Sequence, residues 1–426
     1  MSRAMKDSGI PWIREIPSHW KTDNIGSLYS QRNEKVSDKD YPPLSVSKMG
    51  VVPQLETAAK TDDGDNRKLV RKGDFAINSR SDRRGSCGIS AYDGSVSLIN
   101  TILTPRTEMN PRYYDWLFHT SVFADEFYKW GHGIVDDLWT TRWTEMKRIS
   151  IVVPPMLEQQ SIADFLDKKC GEIDEMVSLQ EKIIEELKAY KQSVITEAVC
   201  RGLNPDVPMK DSGIEWIGQI PSHWATTRLR NLGTTQNGIS QGGDYFGEGY
   251  PFVSYSDVYK NYSLPIEVKG LAKSNEKEQE LFSVRRGDVF FTRTSETIEE
   301  IGFSSVCLET IPKAVFAGFL IRFRPNDDSM DNLYAKFFFR SNIHRAYFVK
   351  EMNLVIRASL SQDLLKSLPV ILPPKEEQEK IGEYLEQRCS EVDTLISIKQ
   401  SKIEALKEYK KSIIYEYITG KKEINA

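Results

Sequence analysis

A sixteen-residue block occurs twice in this chain, and this duplication constrains the fold more than any other feature. Residues 5–20 read MKDSGIPWIREIPSHW and residues 209–224 read MKDSGIEWIGQIPSHW, so 13 of 16 positions are identical at an offset of 204. Agreement of this extent, in segments of ordinary composition, indicates an internal repeat. The fold must therefore explain why one chain carries this start block both at its beginning and in its middle.

Two further pairs of segments extend the repeat. IVVPPMLEQQSIADFLDKK at 151–169 resembles VILPPKEEQEKIGEYLEQR at 370–388, and ELKAYKQSVITEAV at 186–199 resembles ALKEYKKSIIYEYI at 405–418. The chain is therefore a two-fold repeat, and each copy holds a start block, a variable body and a helical end block.

The end blocks have the apolar spacing of long helices. Advancing by three or four residues from Ile162, eight of ten positions are apolar, and seven of ten are apolar from Ile381. This pattern is typical of a coiled-coil seam and not of a strand. The first predicted seam includes Met176 and Tyr190.

Double prolines mark where each helix should begin. Residues 154–155 and 373–374 are Pro-Pro, which would end a strand and allow a helix to start just after it. We predict helices at about 156–200 and 375–419 that pair with each other in antiparallel orientation, as two equivalent helices meeting across a pseudo-two-fold axis must.

The variable bodies predict two α+β domains. They are rich in Gly, Ser, Thr and aromatic residues, with short β-type runs and one helical patch each. VRKGDFAINSR at 70–80 is similar to VRRGDVFFTRT at 284–294. The glycine in RKGD and RRGD is expected to turn the chain into a buried strand, because glycine accepts a positive φ.

Composition indicates a globular protein of the cytoplasm. The chain has 426 residues, of which 39% are hydrophobic and 28% charged, which predicts two or more domains. Its first 30 residues contain no long apolar run, so neither a signal peptide nor a membrane segment is expected. Five scattered cysteines without C-x-x-C spacing predict reduced structural thiols and no zinc site.

Charge is distributed unevenly, and this selects the candidate binding residues. The net charge is −4, but residues 156–200 and 375–420 together carry −7, so the remainder carries +3. Arginines cluster in the bodies, in one loop and in a strand containing Arg322 and Arg324. Local basic loops near Tyr, Trp, Asn and Gln suit phosphate and base-edge contacts. The candidate DNA contacts are Arg80, Arg83, Arg84 and Arg293.

Motifs for catalysis are mostly missing from the sequence. There is no G-x-x-x-x-G-K-[ST] phosphate loop, no glycine-rich cofactor loop and no metal-ligand spacing among the histidines. His19 and His223, inside the start blocks, are expected to pack or cap. Asp257, with Glu267 and Lys269 in E-x-K spacing, is the one nuclease-like group.

With these motifs in hand, the whole chain resembles the specificity subunit of type I restriction–modification enzymes. MKDSGIxWIxxIPSHW is similar to the family's entry into a target recognition domain, and PPxxEQxxI before a long helix is similar to its spacer region. YPPLSVSKMGVVPQ at 41–54 resembles a segment inside such domains. Arg14 replaces Gly218, and the first copy reaches its arginine one residue later than the second.

The resemblance implies a non-catalytic subunit. Its partners would be double-stranded DNA with a bipartite site, two modification subunits and, through them, the restriction subunits, with no membrane. No cofactor is expected on this chain, whereas S-adenosylmethionine, ATP and Mg would be bound by partner subunits. The predicted fold is α+β, with two globular target recognition domains separated by two long antiparallel coiled-coil helices.

This scheme explains why the start block recurs. A split DNA site needs two recognition domains at a fixed distance, and an internal repeat lets them diverge where a homodimer could not. The predicted boundaries are 1–155 and 205–374 for the recognition domains, and 156–204 and 375–426 for the spacer helices. A stand-alone metal-dependent nuclease and a coiled-coil scaffold that binds no DNA remain the alternatives.

Overall fold

A computed structural model describes residues 3–54, 63–133, 139–295, 301–351 and 358–424. The chain forms two compact units, each with its own hydrophobic core. Unit 1 contains residues 1–181 together with 401–426, and unit 2 contains residues 182–400. Unit 1 is therefore completed by the last segment of the chain. Across the described residues, no helix has the length and apolar character needed to cross a membrane.

The first half of the chain is built from short strands and helices that lead into one long helix. In order they are β1 (Met5–Asp7), β2 (Glu15–Pro17), β3 (Lys21–Asn24), α1 (Ile25–Leu28), β4 (Tyr29–Arg32), β5 (Lys35–Val36), β6 (Leu44–Ser47), β7 (Gly50–Pro53), β8 (Arg67–Val70), β9 (Phe75–Asn78), β10 (Cys87–Ile89), β11 (Gly94–Val96), β12 (Asn100–Pro105), α2 (Pro111–Phe118), α3 (Ser121–Lys129), α4 (Trp143–Met146), β13 (Ser150–Val153) and α5 (Met156–Arg201).

The second half repeats this plan. Its elements are β14 (Met209–Asp211), β15 (Gln219–Pro221), β16 (Ala225–Arg228), β17 (Gly233–Asn237), β18 (Phe246–Val253), α6 (Tyr255–Lys260), β19 (Gly270–Ala272), α7 (Glu276–Leu281), β20 (Val289–Thr292), β21 (Thr294–Ser295), β22 (Ser304–Val306), β23 (Val315–Phe316), β24 (Leu320–Pro325), α8 (Asn332–Phe338), α9 (Ile343–Glu351), β25 (Ala358–Ser359), α10 (Gln362–Lys366), β26 (Pro369–Leu372) and α11 (Lys375–Ile418).

The sheets of the two units correspond strand by strand. The central sheet has the order β10-β9-β12-β4 in unit 1 and β22-β20-β24-β17 in unit 2, with antiparallel pairing throughout. In both, the strand after the RKGD or RRGD motif is fully buried next to the long β12 or β24. The predicted α+β class and the internal repeat are confirmed.

The start block is a small hairpin in each unit. β1 pairs with β2 and β14 with β15 in the same antiparallel register. Arg14 has φ 68° and its counterpart Gly218 has φ 70°, so this difference between the copies puts an arginine in a left-handed conformation. Side chains with a Cβ are strained there, whereas glycine is not.

The long helices run antiparallel inside each unit. In unit 1, Asp174 of α5 accepts hydrogen bonds from Lys410 of α11 at 2.6 and 2.7 Å. In unit 2, Lys191 of α5 donates to Asp393 of α11 at 2.8 and 2.6 Å. At the repeat offset of 219, Asp174 corresponds to Asp393 and Lys191 to Lys410. One ion pair is thus made twice, with its two halves exchanged between the helices.

Both predicted seams are wrong at the same two steps, since Leu395 and Tyr409, the counterparts of Met176 and Tyr190, are 46% and 49% exposed. Met176 and Tyr190 are 44% and 48% exposed, whereas Val177 packs against the unit 1 core. Ile162, Leu166 and Ile173 are buried as predicted. A straight helix has 3.6 residues per turn, so its buried stripe drifts away from a strict seven-residue repeat. The next core-facing position after Ile173, the partly buried Val177, is therefore reached by a step of four rather than three.

The RKGD and RRGD turns form as predicted. Gly73 has φ 90° and Gly287 has φ 91°, and each stands just before a buried strand. The aspartate that follows closes the turn, because Asp74 accepts the amide N–H of Arg71 at 2.9 Å and Asp288 accepts that of Arg285 at 2.7 Å.

All five cysteines are buried free thiols. Burial raises the pKa of Cys170 and of its repeat counterpart Cys389 to about 11. The thiols are therefore protonated at neutral pH and act as small apolar side chains, as the sequence predicted.

Candidate nucleic-acid interface

The start block grips the first turn of the long helix in each unit. In unit 1, Glu158 accepts hydrogen bonds from Trp20 Nε1 at 3.0 Å, from His19 at 2.5 Å and from Arg3. Burial alone would raise the pKa of Glu158, but the hydrogen bonds from His19, Trp20 and Arg3 lower it below its ordinary value. The sequence predicts that His19 packs or caps, and the structure shows instead a half-exposed imidazole hydrogen-bonded to Glu158.

Unit 2 repeats this grip with one donor fewer. Glu377 accepts from Trp224 Nε1 at 2.9 Å and pairs with His223 at 2.7 Å. Glu158 and Glu377 are the glutamates of the two PPxxEQ motifs. Each start block therefore recurs because each long helix needs one at its beginning.

The glutamine of the same motif fastens the helix to the domain that precedes it. Gln159 accepts the amide N–H of Asn110 at 2.9 Å and donates to the carbonyl of Pro154 at 2.8 Å. Gln378 makes the equivalent bonds, to the amide of Asp331 and the carbonyl of Pro373. The helix and its domain are thus held at a defined angle by a buried polar side chain.

The far end of the other long helix completes each unit. In unit 1, the carbonyl of Ile418 accepts the Tyr113 hydroxyl at 2.7 Å, and Lys421 donates to the carbonyl of Ile13 at 3.0 Å. In unit 2, the Tyr334 hydroxyl reaches the carbonyl of Val199 at 3.5 Å. The N-terminal start block therefore packs beside the end of the C-terminal helix, which confirms the predicted circular arrangement.

Three of the candidate arginines lie together at one edge of unit 1. Residues Ser81–Arg83 form a 3-10 turn between β9 and β10, with Arg80 before the turn and Arg84 after it. Arg80 is anchored through its main chain, since its amide donates to Asn78 at 3.1 Å and its carbonyl accepts the Tyr128 hydroxyl at 2.9 Å. The turn thus presents a short basic loop on a rigid sheet.

Acidic neighbours reduce the charge of this loop. Arg83 lies 3.4 Å from Asp82, and Arg84 pairs with Asp125 while its guanidinium lies 5.9 Å from the ring centre of Tyr128. Among described residues, Arg80 forms no ion pair. Sequence reasoning missed Asp125 because it lies on α3, far from the loop in sequence, with no pattern linking the two.

Arg293 has a different position in unit 2. Its amide donates to the carbonyl of Phe319 at 2.9 Å and its carbonyl accepts from Leu360 at 2.7 Å. Ser79 of unit 1 makes the matching bonds, to Ile99 and from Thr141. Arg293 is therefore the structural counterpart of Ser79, not of Arg80. Phe319 beside it is 63% exposed, an apolar surface that the sequence did not single out.

Arg322 and Arg324 are structural residues and not surface contacts. Arg322 is 6% exposed and donates to the carbonyl of Ser283 at 2.7 Å and to Gln236. Burial lowers the pKa of Arg322 to about 10, with a smaller contribution from Arg324. Arg324 forms a two-pronged ion pair with Asp288 at 2.6 Å. The arginine cluster indicated by the sequence thus stabilises the sheet through these internal hydrogen bonds and this ion pair.

The nuclease-like group does not assemble as a metal site. Asp257 caps helix α6, accepting from the amide and hydroxyl of Ser254 at 2.8 and 2.7 Å, whereas Glu267 and Lys269 are exposed. Within the described ranges, no three His, Cys, Asp or Glu side chains lie close enough together to hold a metal ion.

Comparison with known proteins bears on this arrangement. Residues 221–408 match the family model of the type I restriction modification DNA specificity domain. The second repeat carries a type I specificity domain. The resemblance predicted from the repeated motifs is thereby confirmed, and the first repeat has the same strand order and the same glutamate and glutamine contacts as this specificity domain.

Two curated relatives are named as specificity subunits of type I restriction enzymes. The chain is 27% identical over 449 residues to the putative MjaX specificity subunit of Methanocaldococcus jannaschii, covering 96% of this chain and 95% of that protein. It is 28% identical over 255 residues to the EcoKI specificity subunit of Escherichia coli K12, covering 58% of this chain. That match spans only 52% of the EcoKI subunit.

Solved structures share the fold. A chain from a type I restriction–modification system, described for complex assembly and conformational transition, aligns with TM-score 0.73 and 15% identity, covering 95% of this chain and 99% of that one. The HsdS subunit of Thermoanaerobacter tengcongensis aligns with TM-score 0.53 and 17% identity, covering 95% and 98%. This chain therefore has the same overall fold as both solved structures.

Proposed function

We propose that this chain is the sequence-specific DNA-binding subunit of a type I restriction–modification complex. It recognises a bipartite DNA target, one half with each unit, and docks the modification subunits, to which the restriction subunits attach in turn. S-adenosylmethionine, ATP and Mg are bound by those partner subunits, and the complex works in the cytoplasm. The chain itself catalyses no reaction.

The observation that carries this proposal is one framework built twice with different exposed loops. The grip of the start block, the anchoring glutamine and the central sheet are repeated, whereas the candidate DNA-contacting positions differ. Arg80 has no arginine counterpart in unit 2, and Arg293 has Ser79 as its counterpart in unit 1. A shared framework with different residues at the candidate contact positions is what two domains that read different DNA words would require.

The arginines differ in how free they are to bind phosphate. Arg83 and Arg84 are paired with Asp82 and Asp125 at the surface, and the nearby carboxylates reduce the positive charge that these arginines present to a phosphate. Arg80 and Arg293 have no such partner among the described residues, so we expect them to contribute more to DNA affinity.

The test is DNA binding by the chain in complex with its modification subunits, measured over a range of salt concentrations. If Arg293 contacts a phosphate, Arg293→Ala should weaken binding to all sequences alike and reduce the salt slope by roughly one. If it contacts a base, the loss should be ~1–3 kcal/mol and confined to the cognate site. Lys402→Ala, which removes an exposed charge from helix α11, is the matched control.

Two outcomes would favour the alternatives. Unchanged affinity and an unchanged methylation pattern after alanine replacement of Arg80, Arg83, Arg84 and Arg293 together would remove the assigned contacts. Magnesium-dependent cutting by the purified chain alone, abolished by Glu267→Ala, would support the nuclease instead.

A further inference from the structure

The segment YPPLSVSKMGVVPQ of unit 1 begins on the framework that both units share and then departs from it. Residues 41–44 read YPPL and residues 250–253 read YPFV, at an offset of 209. Each segment pairs in parallel with the strand that precedes the long strand of the central sheet, β11 in unit 1 and β23 in unit 2. The two units therefore correspond as far as Leu44 and Val253.

Beyond these residues the two units form different elements. In unit 2, Ser254 and Asp257 form a capping box and the chain continues as helix α6. At the offset of 209, Asp257 corresponds to Lys48, whose side chain has no hydrogen-bond acceptor and cannot form such a box. Unit 1 instead turns back as the β6–β7 hairpin, with φ 94° at Gly50. A two-stranded ribbon and a helix are both elements that the major groove of B-DNA admits.

The tip of this hairpin points toward the arginine turn of unit 1. β7 and β10 run in the same direction, because Val51 forms a parallel bridge with Ser90. They are in close contact, since a Cβ added at Gly88 would lie 2.6 Å from the Cα of Gly50. The tip residues before Gly50 therefore lie toward the residues before β10, which come directly from the turn at 80–84. The hairpin tip and the three candidate arginines thus belong to the same edge of unit 1.

The tip is held by hydrogen bonds and exposes two side chains. The Ser47 hydroxyl accepts the amide N–H of Met49 at 3.1 Å and donates to the carbonyl of Gly50 at 3.3 Å. Met49 is 75% exposed. Lys48 is also exposed and forms no ion pair with a described residue. The tip therefore offers a cation that no carboxylate neutralises, unlike the two paired arginines of the turn, next to an apolar side chain.

We propose that the β6–β7 hairpin enters the major groove of the half-site that unit 1 recognises. Lys48 donates to O6 and N7 of a guanine there, and Met49 contacts the methyl group of a neighbouring thymine. These are the acceptors that a lysine reads and the apolar group that base pairs expose in this groove. The inference rests on the proposed function and deepens it, because it names residues that read one half of the DNA target.

The test is sequencing of methylated sites in cells that express the chain with its modification subunits. Lys48→Ala should relax the methylated motif at one G·C pair, and Met49→Ala should relax a position in the same half of the motif. The other half and the gap should stay the same, because unit 2 and the long helices are unaltered. Both variants should keep the wild-type melting temperature, since exposed side chains contribute little to stability.

Binding by the purified complex tests the contact atom by atom. Lys48→Ala should weaken binding to the cognate site by roughly tenfold or more and binding to unrelated DNA by less than about twofold. Replacing the guanine by 7-deazaguanine, which lacks the N7 acceptor, should weaken binding of the wild-type complex but not that of Lys48→Ala. Lys147→Ala, at an exposed lysine of unit 1 that follows α4, is the matched control and should leave motif and affinity unchanged.

Three results would overturn the inference and leave the proposed function intact. One is a wild-type motif in both Lys48→Ala and Met49→Ala. Another is equal weakening by Lys48→Ala on all sequences with an unchanged motif, which would make Lys48 a phosphate contact. The third is a motif altered in different halves by the two variants. No sequence preference in the unaltered complex would overturn the proposed function as well.

Discussion

The two units hold the same buried aspartate with arginines from different strands. In unit 1, Arg32 of β4 pairs with Asp74 at 2.7 and 3.1 Å, and Thr104 of β12 donates to that aspartate at 3.0 Å. In unit 2 the counterpart of Thr104 is Arg324, which makes the ion pair with Asp288.

The strand position that Arg32 occupies in unit 1 also holds a different residue in unit 2. By strand register, the counterpart of Arg32 is Gln236, which accepts a hydrogen bond from Arg322. The comparison shows that the buried carboxylate is neutralised in both units, although the arginine that neutralises it lies on a different strand in each. A buried charge without a partner is costly, whereas the strand that supplies the partner is unconstrained.

The largest expected effect comes from removing the Arg32–Asp74 ion pair of unit 1 and then rebuilding it with an arginine at the position that Arg324 has in unit 2. Arg32→Gln leaves Asp74, which is 3% exposed, without its cation, so unit 1 should lose about 3 kcal/mol of unfolding free energy. Adding Thr104→Arg should recover most of the loss. Urea denaturation provides the measurement, with exposed Asp206→Ala as a control expected to change stability by less than about 0.5 kcal/mol. A double variant no more stable than Arg32→Gln would show that the two arrangements are not interchangeable.

A smaller effect on stability should distinguish the start-block contacts made with Glu158 from those made with Glu377. Glu158→Gln weakens hydrogen bonds from three donors, whereas Glu377→Gln weakens two, so we expect losses of about 2 and about 1 kcal/mol at pH 7. Because the pKa of Glu158 is lowered in the folded chain, its contribution is present above the ordinary glutamate pKa and is lost as the pH falls through the lowered value.

The stabilities of the wild-type chain and Glu158→Gln should therefore converge on acidification. Thermal unfolding between pH 7 and pH 3 would detect this convergence. A difference that stayed constant over this range would mean that the Glu158 carboxylate does not carry the grip.

The smallest expected effect concerns the start-block hairpins, which differ between the units at Arg14 and Gly218. Arg14→Gly gives unit 1 the residue that unit 2 has at the same positive φ, so the chain should gain about 0.5–1 kcal/mol from relief of strain. Gly218→Arg is the reverse exchange and should cost a similar amount. Chemical denaturation of the two variants in parallel is sufficient, and a stability change of the same sign in both would contradict this explanation.

The repeat could be predicted from the sequence because its motifs are local. The contacts could not be predicted, because they join segments that are far apart in the sequence. Paired prolines and apolar spacing predicted the helices, and RKGD predicted the turn. Nothing local indicated that Glu158 would hold Trp20, or that Asp125 would neutralise Arg84. The spacing of Arg322 and Arg324 indicated only a local cluster of arginines, and nothing local indicated that Ser283 and Asp288 would bind them inside the sheet.

The central claim is that two recognition domains on one chain read two separated DNA words, with the paired helices setting the gap. The most direct test is sequencing of methylated sites in cells that express the chain with its modification subunit. Inserting four residues after Leu179, and four after its counterpart Ile398, adds ~6 Å to each helix and about one turn. The insertions should leave the ion pairs Asp174–Lys410 and Lys191–Asp393 intact, because both residues of each pair belong to the same unit. We predict a bipartite motif whose gap lengthens by one or two base pairs while both words stay the same. A single continuous word, or altered words with an unchanged gap, would contradict the account.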